Sequence, residues 1–185
     1  PIGKKSDIIR VPQIVWESSN NFKSNFLKAL FSCDGTIDKT GDIEYYSNSK
    51  EFLLDLHYLL SHFHIQSVVR KKKCKCNGKR FISYRLALED YNSIQNFKRI
   101  GFFGKEKIKR IDGKRFWRMK RRKSTIYLDD NLFGIKIKNI YSISNVQEVF
   151  DLNVPENHSF IANGVISHNS GKSYSLSVIA EEMVS

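Results

Sequence analysis

Long apolar runs and cysteines are both scarce in this 185-residue chain. No stretch stays apolar over the roughly 20 residues that a helix needs to cross a bilayer, and no signal-peptide pattern is present, so we expect no membrane partner. The three cysteines, Cys33, Cys74 and Cys76, do not suggest a disulfide framework, and we expect a cytoplasmic protein. Because the chain begins at Pro1 rather than Met, we expect it to be a fragment of a longer product.

Acidic residues are also in the minority. The chain has 31 Lys and Arg against 19 Asp and Glu, which gives a formal net charge of +12. The excess is concentrated in residues 70–80, with seven basic residues and no acid, and in residues 98–123, with thirteen basic residues. Clusters of one sign are typical of a surface that binds a polyanion. A solvated basic face is the alternative, but two clusters with interleaved aromatic residues favour nucleic acid as the partner.

Two pairs of strands are predicted between three helices in residues 13–123. Runs of apolar residues at helical spacing follow Ser18 or Ser19, Ser49 and Asp90, and we expect a helix to start at each of these three places, with Ser18 or Ser19 as the first N-cap. The dipeptide Asn77-Gly78 is a strong hairpin signal between two strand-like runs. The predicted order is therefore helix, two strands, helix, two strands, helix.

Basic residues occur on both strands of the second predicted pair, a ribbon of residues 66–88. A two-stranded ribbon fits the major groove of DNA, where side chains contact phosphates and base edges. We expect this ribbon to bind DNA, helped by the basic stretch of residues 105–123. The candidate DNA-binding residues are Arg70, Lys71, Lys72, Lys73, Lys75, Lys79, Arg80 and Arg85.

Near its C-terminus the chain contains half of a phosphate-binding loop. A Walker A loop has the pattern G-x-x-x-x-G-K-[ST], because several backbone N–H groups must surround the phosphates before the Lys reaches them. Gly171, Lys172 and Ser173 supply the second half, but Ile166 stands where the first Gly is required. We infer that the loop is interrupted and that another protein resumes at Ser170. ATP would be a partner only of that other protein, once the two halves of its phosphate-binding loop are joined.

The residues at this junction can cleave their own backbone. The side-chain amide of Asn169 can attack its own backbone carbonyl, close a succinimide and release the segment that begins at Ser170. An imidazole titrates near neutral pH, so His168 can transfer the protons that this step needs. The Ser170 hydroxyl can accept an acyl group from an upstream segment. An ordinary surface turn is the alternative for this His-Asn-Ser tripeptide.

Residues 149–170, VFDLNVPENHSFIANGVISHNS, resemble the C-terminal splicing blocks of inteins, the self-excising elements of protein splicing. The resemblance implies an all-β, horseshoe-like Hint domain, whose C-terminal part is residues 124–169. It also implies that Asp151 and His158 assist acyl transfer and Asn cyclisation, with no cofactor for splicing. Inteins begin with Cys or Ser and carry an N-terminal Thr-x-x-His motif. Neither such a start nor this motif is found before residue 13 here, so we expect full splicing to need a separate N-terminal intein half.

The first predicted helix carries a second resemblance. Residues 26–35, FLKALFSCDG, resemble the dodecapeptide of LAGLIDADG (DOD) homing endonucleases, which are often inserted in inteins. The resemblance implies that Asp34 is a catalytic ligand of Mg²⁺, shared with the matching acid of a second such helix, and that Lys107 is the candidate catalytic lysine. Ala29 and Cys33 form a small-residue face on which two such helices can pack. A core helix capped by Asp-Gly is the alternative.

The sequence therefore predicts an α+β chain in four parts. These are a connector at residues 1–12, a LAGLIDADG endonuclease-like αββαββα unit with a basic extension at 13–123, the C-terminal part of an all-β Hint splicing domain at 124–169, and a P-loop NTPase fragment at 170–185. The predicted function is protein splicing coupled to the binding and cutting of double-stranded DNA. The alternatives are a sequence-specific DNA-binding module whose splicing and nuclease activities have decayed, and a P-loop ATPase fragment.

Overall fold

The computed structural model describes residues 8–76, 78–112, 125–128, 132–135, 137, 139–140, 152, 154–162 and 165–168. By its internal contacts the chain forms two compact units, Pro1–Lys136 and Ile137–Ser185. The domain boundary expected after residue 123 stays a prediction. Six predicted site residues lie outside the described residues: Asp151, Asn169, Ser170, Gly171, Lys172 and Ser173.

Within the described residues, five helices form in the first unit: α1 (Gln13–Glu17), α2 (Asn20–Cys33), α3 (Lys50–Ser61), α4 (Tyr91–Ile100) and α5 (Lys105–Asp112). The three predicted helix starts are confirmed, and Ser19 rather than Ser18 is the first N-cap. Ser19, Ser49 and Asp90 each accept a hydrogen bond from the backbone N–H three positions further along. Each cap satisfies one of the N–H groups that the first turn of a helix leaves without an intrahelical partner.

Four antiparallel strands form one sheet in the order β1-β2-β4-β3, with β1 (Thr36–Ile37), β2 (Ile43–Ser47), β3 (Val68–Cys76) and β4 (Lys79–Leu88). β3 and β4 pair from Val68 opposite Ala87 to Cys76 opposite Lys79. A separate pair, β5 (Thr125–Tyr127) and β6 (Phe133–Ile135), also lies in the first unit. The long β3–β4 hairpin is the ribbon in which the basic residues are concentrated.

Helices close one face of the four-stranded sheet. Ile43 from β2 and Leu86 and Leu88 from β4 are fully buried in one core with Phe31 of α2 and Phe97 of α4. The two phenylalanine rings meet edge to face, with their centroids 4.8 Å apart. Burying a side chain of this size stabilises the fold by about 1.5–3 kcal/mol. The opposite face of the sheet, which we call the outward face, carries Glu44, Tyr46 and Arg85.

The residues before α1 are fixed to α3 by an ion pair. Arg10 Nε and Nη2 donate to the two carboxylate oxygens of Asp55, at 2.6 and 2.7 Å. The Val11 N–H donates to the same carboxylate at 3.0 Å. Because the Asp55 side chain is only 7% exposed, these donors offset the cost of burying its charge. From residue 8 onward, the expected connector is therefore packed against the first unit.

The predicted order of elements is confirmed as α2, β1, β2, α3, β3, β4 and α4, which gives a mixed α/β unit with an antiparallel sheet. Two features differ from the prediction: the short helix α1 precedes the predicted order, and one strand starts later than expected. β3 begins at Val68 rather than at residue 66, because the Gln66 N–H donates to Ser93 Oγ at 2.7 Å instead of to a neighbouring strand. None of the helices in the described part is long and apolar enough to cross a membrane.

In the second unit, the described residues include one hairpin, formed by β7 (Ser159–Ala162) and β8 (Val165–His168). Its strands pair from Ser159 opposite His168 to Ala162 opposite Val165. The hairpin agrees with the strand-rich pattern of this region. The Hint fold expected for residues 124–169 stays a prediction.

Candidate functional sites

Asp34 lies at the C-terminal end of α2, exposed on the surface of the first unit. Its backbone N–H donates to the Leu30 carbonyl at 3.1 Å, in the last turn of the helix. The Tyr45 hydroxyl donates to Asp34 Oδ2 at 3.3 Å. Burial of Tyr45, together with the negative charge of Asp34, raises the pKa of that hydroxyl. The tyrosine therefore stays protonated and orients the carboxylate, whose exposed side remains open to a ligand.

Close packing explains the glycine that follows this acid. A Cβ added to Gly35 would lie 2.5 Å from the Phe31 carbonyl oxygen and 2.9 Å from Phe31 Cα. Both are backbone atoms of the preceding helical turn, so they cannot move aside as the end of a flexible side chain could. Glycine at residue 35 therefore allows the chain to turn tightly out of α2 and leaves Asp34 at the helix end.

Lys107 reaches the same helix end from α5. Its Nζ donates to the backbone carbonyls of Phe31, Ser32 and Gly35 at 2.9, 2.6 and 2.6 Å. Burial lowers the pKa of Lys107, and the nearby negative charge of Asp34 opposes that shift. The structure thus brings together two of the predicted site residues, Asp34 and Lys107, although the contacts of the lysine are with backbone atoms.

The described residues do not form a complete divalent-metal site, since they contain no cluster of three or more His, Cys, Asp or Glu side chains suited to hold an ion. Mg²⁺ demands near-octahedral oxygen coordination and usually retains several waters. The exposed carboxylate of Asp34 fits as one ligand of a shared site. It cannot hold the ion alone.

The predicted DNA-binding residues are divided between the two faces of the sheet. Cross-strand partners share a face and successive residues alternate, so Arg70 opposite Arg85 and Lys71 opposite Tyr84 project to opposite sides. The outward face carries Arg70, Lys72 and Arg85. The face continuous with the core carries Lys71, Lys73, Lys75 and Arg80. The remaining candidate, Lys79, begins β4 opposite Cys76. The candidates therefore do not form a single surface.

Acidic residues accompany the two arginines of the outward face. Arg85 forms an ion pair with Glu44. It also lies 3.6 Å from Asp42 and 3.7 Å from Glu89. Arg70 pairs with Glu89 through both of its terminal nitrogens. The charge of both arginines is thus matched within the protein, and their role in DNA binding stays a prediction.

Lys72 is held in place on the outward face by an aromatic residue. Its Nζ lies 4.5 Å from the centroid of the Tyr46 ring and donates to the Tyr46 hydroxyl oxygen at 3.3 Å. That hydroxyl in turn donates to Glu44 at 2.8 Å. Tyr46 and Glu44 were not among the residues predicted for this surface. The signal that could have placed them is their alternation with the buried apolar residues Ile43 and Tyr45 along β2.

Two acids in the turn before β2 have opposite pKa shifts. Asp38 Oδ1 accepts the backbone N–H groups of Thr40, Gly41 and Asp42 at 2.8, 2.8 and 2.9 Å. Burial alone would raise the pKa of Asp38, but these hydrogen bonds, with one from the Thr40 hydroxyl, lower it. Burial, followed by the negative charges of Asp38 and Glu89, raises the pKa of Asp42 to about 6. Asp38 therefore stabilises the turn as an anion. In Asp42, near the outward face, burial and the neighbouring negative charges disfavour the ionised form.

Two histidines meet at the open end of the hairpin in the second unit. The ring centroids of His158 and His168 are 6.2 Å apart, with an angle of 51° between the rings. His158 has a φ of 49°, which is uncommon outside glycine and is a kind of strain that clusters at functional sites. The backbone N–H of His158 donates to the Val154 carbonyl at 3.1 Å. The structure thus brings two predicted splicing residues together, immediately before Asn169, which lies outside the described residues.

Similar sequences occur inside proteins with several different names. The chain is 35% identical over 115 residues to "Probable translation initiation factor IF-2" of Methanocaldococcus jannaschii, a match that covers 60% of this chain and 10% of the relative. It is 34% identical over 110 residues to a replication factor C small subunit of the same organism, covering 59% and 6%. It is 27% identical over 209 residues to the tRNA-splicing ligase RtcB of Pyrococcus abyssi, covering 92% and 22%. The chain thus spans only a small part of each relative.

A family match agrees with the geometry of the first unit. The matched span includes Asp34, Gly35, most of α2 and the whole four-stranded sheet. Residues 21–101 are similar to the family described as "LAGLIDADG-like domain".

Proposed function

We propose that this chain is the C-terminal part of an intein that carries a LAGLIDADG homing endonuclease. The observation that carries the nuclease half is the exposed carboxylate of Asp34, held by Tyr45 at the helix end of a LAGLIDADG-like domain whose sheet bears a basic ribbon. The relatives support an insert, because a mobile element gives similar sequence within short parts of proteins that are otherwise different. We place both activities in the cytoplasm.

The outward face of the sheet is proposed to bind double-stranded DNA. Helices close the opposite face near Leu86 and Leu88, so only the outward face is free along most of the sheet. Lys72 lies there in a defined position. At the far end of the hairpin, Lys75 and Arg80 are exposed and can add phosphate contacts from the side. Lysines on this face can contact phosphates, which positions the protein on the duplex, whereas sequence is read through contacts to base edges.

DNA cutting is proposed to depend on Asp34 and on a second acid from outside this chain's described residues. When bound, Mg²⁺ would act as a Lewis acid for hydrolysis of the phosphodiester. Asp34 provides one carboxylate ligand, oriented by Tyr45. The second motif is proposed to lie on the N-terminal intein half, or on a second copy packed against the Ala29 and Cys33 face, where Cys33 is exposed.

The test of the nuclease is Asp34→Asn, which keeps the shape of the side chain and removes its charge. With the N-terminal intein half supplied and Mg²⁺ present, the wild-type protein should cut molecules selected from a duplex library with a randomised site. Asp34→Asn should abolish cutting and leave binding of the same duplex nearly unchanged. If the variant cuts as fast as the wild type, Asp34 only ends a helix and the nuclease proposal fails. If neither protein cuts while both bind, the chain is a DNA-binding module without nuclease activity.

The second unit is proposed to cleave the chain between Asn169 and Ser170. The Asn169 amide nitrogen attacks the Asn169 carbonyl carbon, the peptide bond to Ser170 breaks, and the amine of Ser170 leaves with a proton. The two imidazoles 6.2 Å apart support this proposal, since His168 precedes Asn169 in the chain and can supply that proton. His158 and Asp151 are proposed to assist acyl transfer to the Ser170 hydroxyl.

Asn169→Ala tests the splicing proposal because alanine has no amide to cyclise. Supplied with the N-terminal intein half, the wild-type chain should release the segment that begins at Ser170, and Asn169→Ala should not. His168→Ala should slow release without moving the cleavage position. Unchanged release from Asn169→Ala, measured by mass spectrometry, would remove Asn169 from the mechanism. ATP binding is assigned only to the spliced host protein, since Ile166 stands where this chain would need a glycine.

A further inference from the structure

The C-terminal end of α2 is capped by a side chain from a distant helix. The last carbonyls of any helix lack intrahelical partners and carry the negative end of its dipole. At this end Lys107 donates to the carbonyls of Phe31, Ser32 and Gly35, more than 70 residues earlier in the chain, at 2.6 to 2.9 Å. An ammonium group has three N–H donors. All three have a backbone acceptor, so none remains for a DNA phosphate or a reacting water.

The connection between α4 and α5 adds a second contact to the same helix end. The Phe103 N–H donates to Ser32 Oγ at 2.7 Å. The ammonium of Lys28, one turn earlier in α2, lies 5.2 Å from the centroid of the Phe103 ring. Because Phe103 is 62% exposed, its side chain adds little burial, and the hydrogen bond to Ser32 is the stronger link.

We propose that Lys107 is a positioning residue for Asp34 rather than a catalytic one. It fixes the backbone on both sides of Asp34, because Ser32 precedes the acid and Gly35 follows it. The Tyr45 hydroxyl then holds the Asp34 carboxylate directly, whereas Lys107 holds the main chain on either side of Asp34. This inference rests on the proposed role of Asp34 as a metal ligand. The positioning role of Lys107 is distinct from the metal-binding role of Asp34, because it concerns how well ordered the end of α2 is when neither metal nor DNA is bound.

Amide hydrogen exchange in the metal-free, DNA-free chain tests the inference. The reporters are the N–H groups of Asp34 and Gly35, which donate to Leu30 and Phe31 in the last turn of α2. Lys107→Met keeps the length of the side chain and removes its three donors. The loss should make local opening of the helix end easier by the net contribution of one hydrogen bond from a charged donor. Exchange at these two amides should then be about tenfold faster. Lys50→Met, an exposed lysine at the start of α3, is the matched control and should leave them unchanged.

The conservative variant and the cleavage assay separate the outcomes. Lys107→Arg keeps the charge and several donors, and should restore most of the protection. If Lys107→Met does not fold, Lys107→Gln replaces it, with the same expectation of faster exchange. Slower DNA cutting by Lys107→Met, at unchanged DNA affinity, should accompany faster exchange.

Unchanged exchange at both amides in Lys107→Met or Lys107→Gln would overturn the positioning role, even if Asp34→Asn proves the nuclease correct. Faster exchange with unaltered cutting would also overturn it. If Asp34→Asn cuts normally, the proposed function fails, whereas accelerated exchange would still show that Lys107 orders the helix end.

Discussion

Replacing Asp42 with asparagine should stabilise the protein at neutral pH, which is unusual for an acid within a network of ion pairs. Burial, and then the charges of Asp38 and Glu89, raise the pKa of Asp42 from 3.8 to about 6. Its contact with Arg85, at 3.6 Å, is too long to compensate. Asparagine has nearly the shape of the protonated acid and carries no charge. Asp42→Asn should therefore remove an unfavourable ionisation and little else.

The sign and the size of the effect follow from this pKa. A carboxyl whose pKa is higher in the folded than in the unfolded state contributes stability below about pH 4, which is lost as the pH rises through about 6. A shift of about two units is at most about 3 kcal/mol. Since the Asp42 side chain is 18% exposed, solvent screening should reduce this to about 1–2 kcal/mol. The variant should then melt about 3–8 °C higher at pH 7.5.

Thermal unfolding between pH 4 and pH 8 is the assay, with Asp38→Asn as the opposing control. Asp38 has a lowered pKa, so its charge contributes stability above the unfolded pKa, and that stability is lost as the pH falls. Asp38→Asn should destabilise the protein at pH 7.5. The difference for Asp42→Asn should shrink toward pH 4, whereas the difference for Asp38→Asn should persist to pH 4, because the stability from Asp38 is lost only below its ordinary pKa of 3.8. A melting temperature for Asp42→Asn that is equal to or below that of the wild type at pH 7.5 would refute the argument.

Two further predictions concern the helix end and the ribbon. Gly35→Ala should destabilise the first unit by about 1–3 kcal/mol, seen as a lower urea midpoint, because the new Cβ would overlap the Phe31 backbone; an unchanged midpoint would show that this turn can relax. Lys72→Met should reduce the salt dependence of DNA binding by about one unit of slope for one lost phosphate contact. Lys73→Met, its neighbour on the opposite face, should reduce the slope less. Equal losses would mean that DNA does not distinguish the two faces.

Local signals were sufficient to predict α2, α3, α4 and the two pairs of strands between them. Ser19, Ser49 and Asp90 are side-chain caps whose effect reaches three residues, and each begins a helix as expected. The β3–β4 hairpin follows from a turn dipeptide between two strand-like runs, and its predicted limits differ by two residues at one end. Such features depend on neighbours in the sequence, so the sequence alone can reveal them.

The partners of the site residues could not be predicted in the same way. Lys107 was a positional candidate near Asp34, but its three acceptors are main-chain carbonyls, which carry no sequence pattern. The ion pairs of Arg85 with Glu44 and Glu89 join residues on β2 and β4 and just beyond β4. Charge counting assigned that arginine to DNA, because it cannot tell which acid lies across a sheet.

The run from Val68 to Lys73 has a consequence for how this ribbon can evolve. It reads Val-Val-Arg-Lys-Lys-Lys, so moving β3 by one residue would exchange one valine for another and basic side chains for basic side chains. Its own pattern therefore does not fix its register, which depends on β4 and on the turn, where Gly78 has a φ of +77°. A one-residue insertion would keep the attraction for the DNA backbone but separate Lys72 from Tyr46 and Arg70 from Glu89. Under the proposed role of the ribbon in DNA binding, one such step would change the sequence that is recognised and leave the affinity for DNA intact.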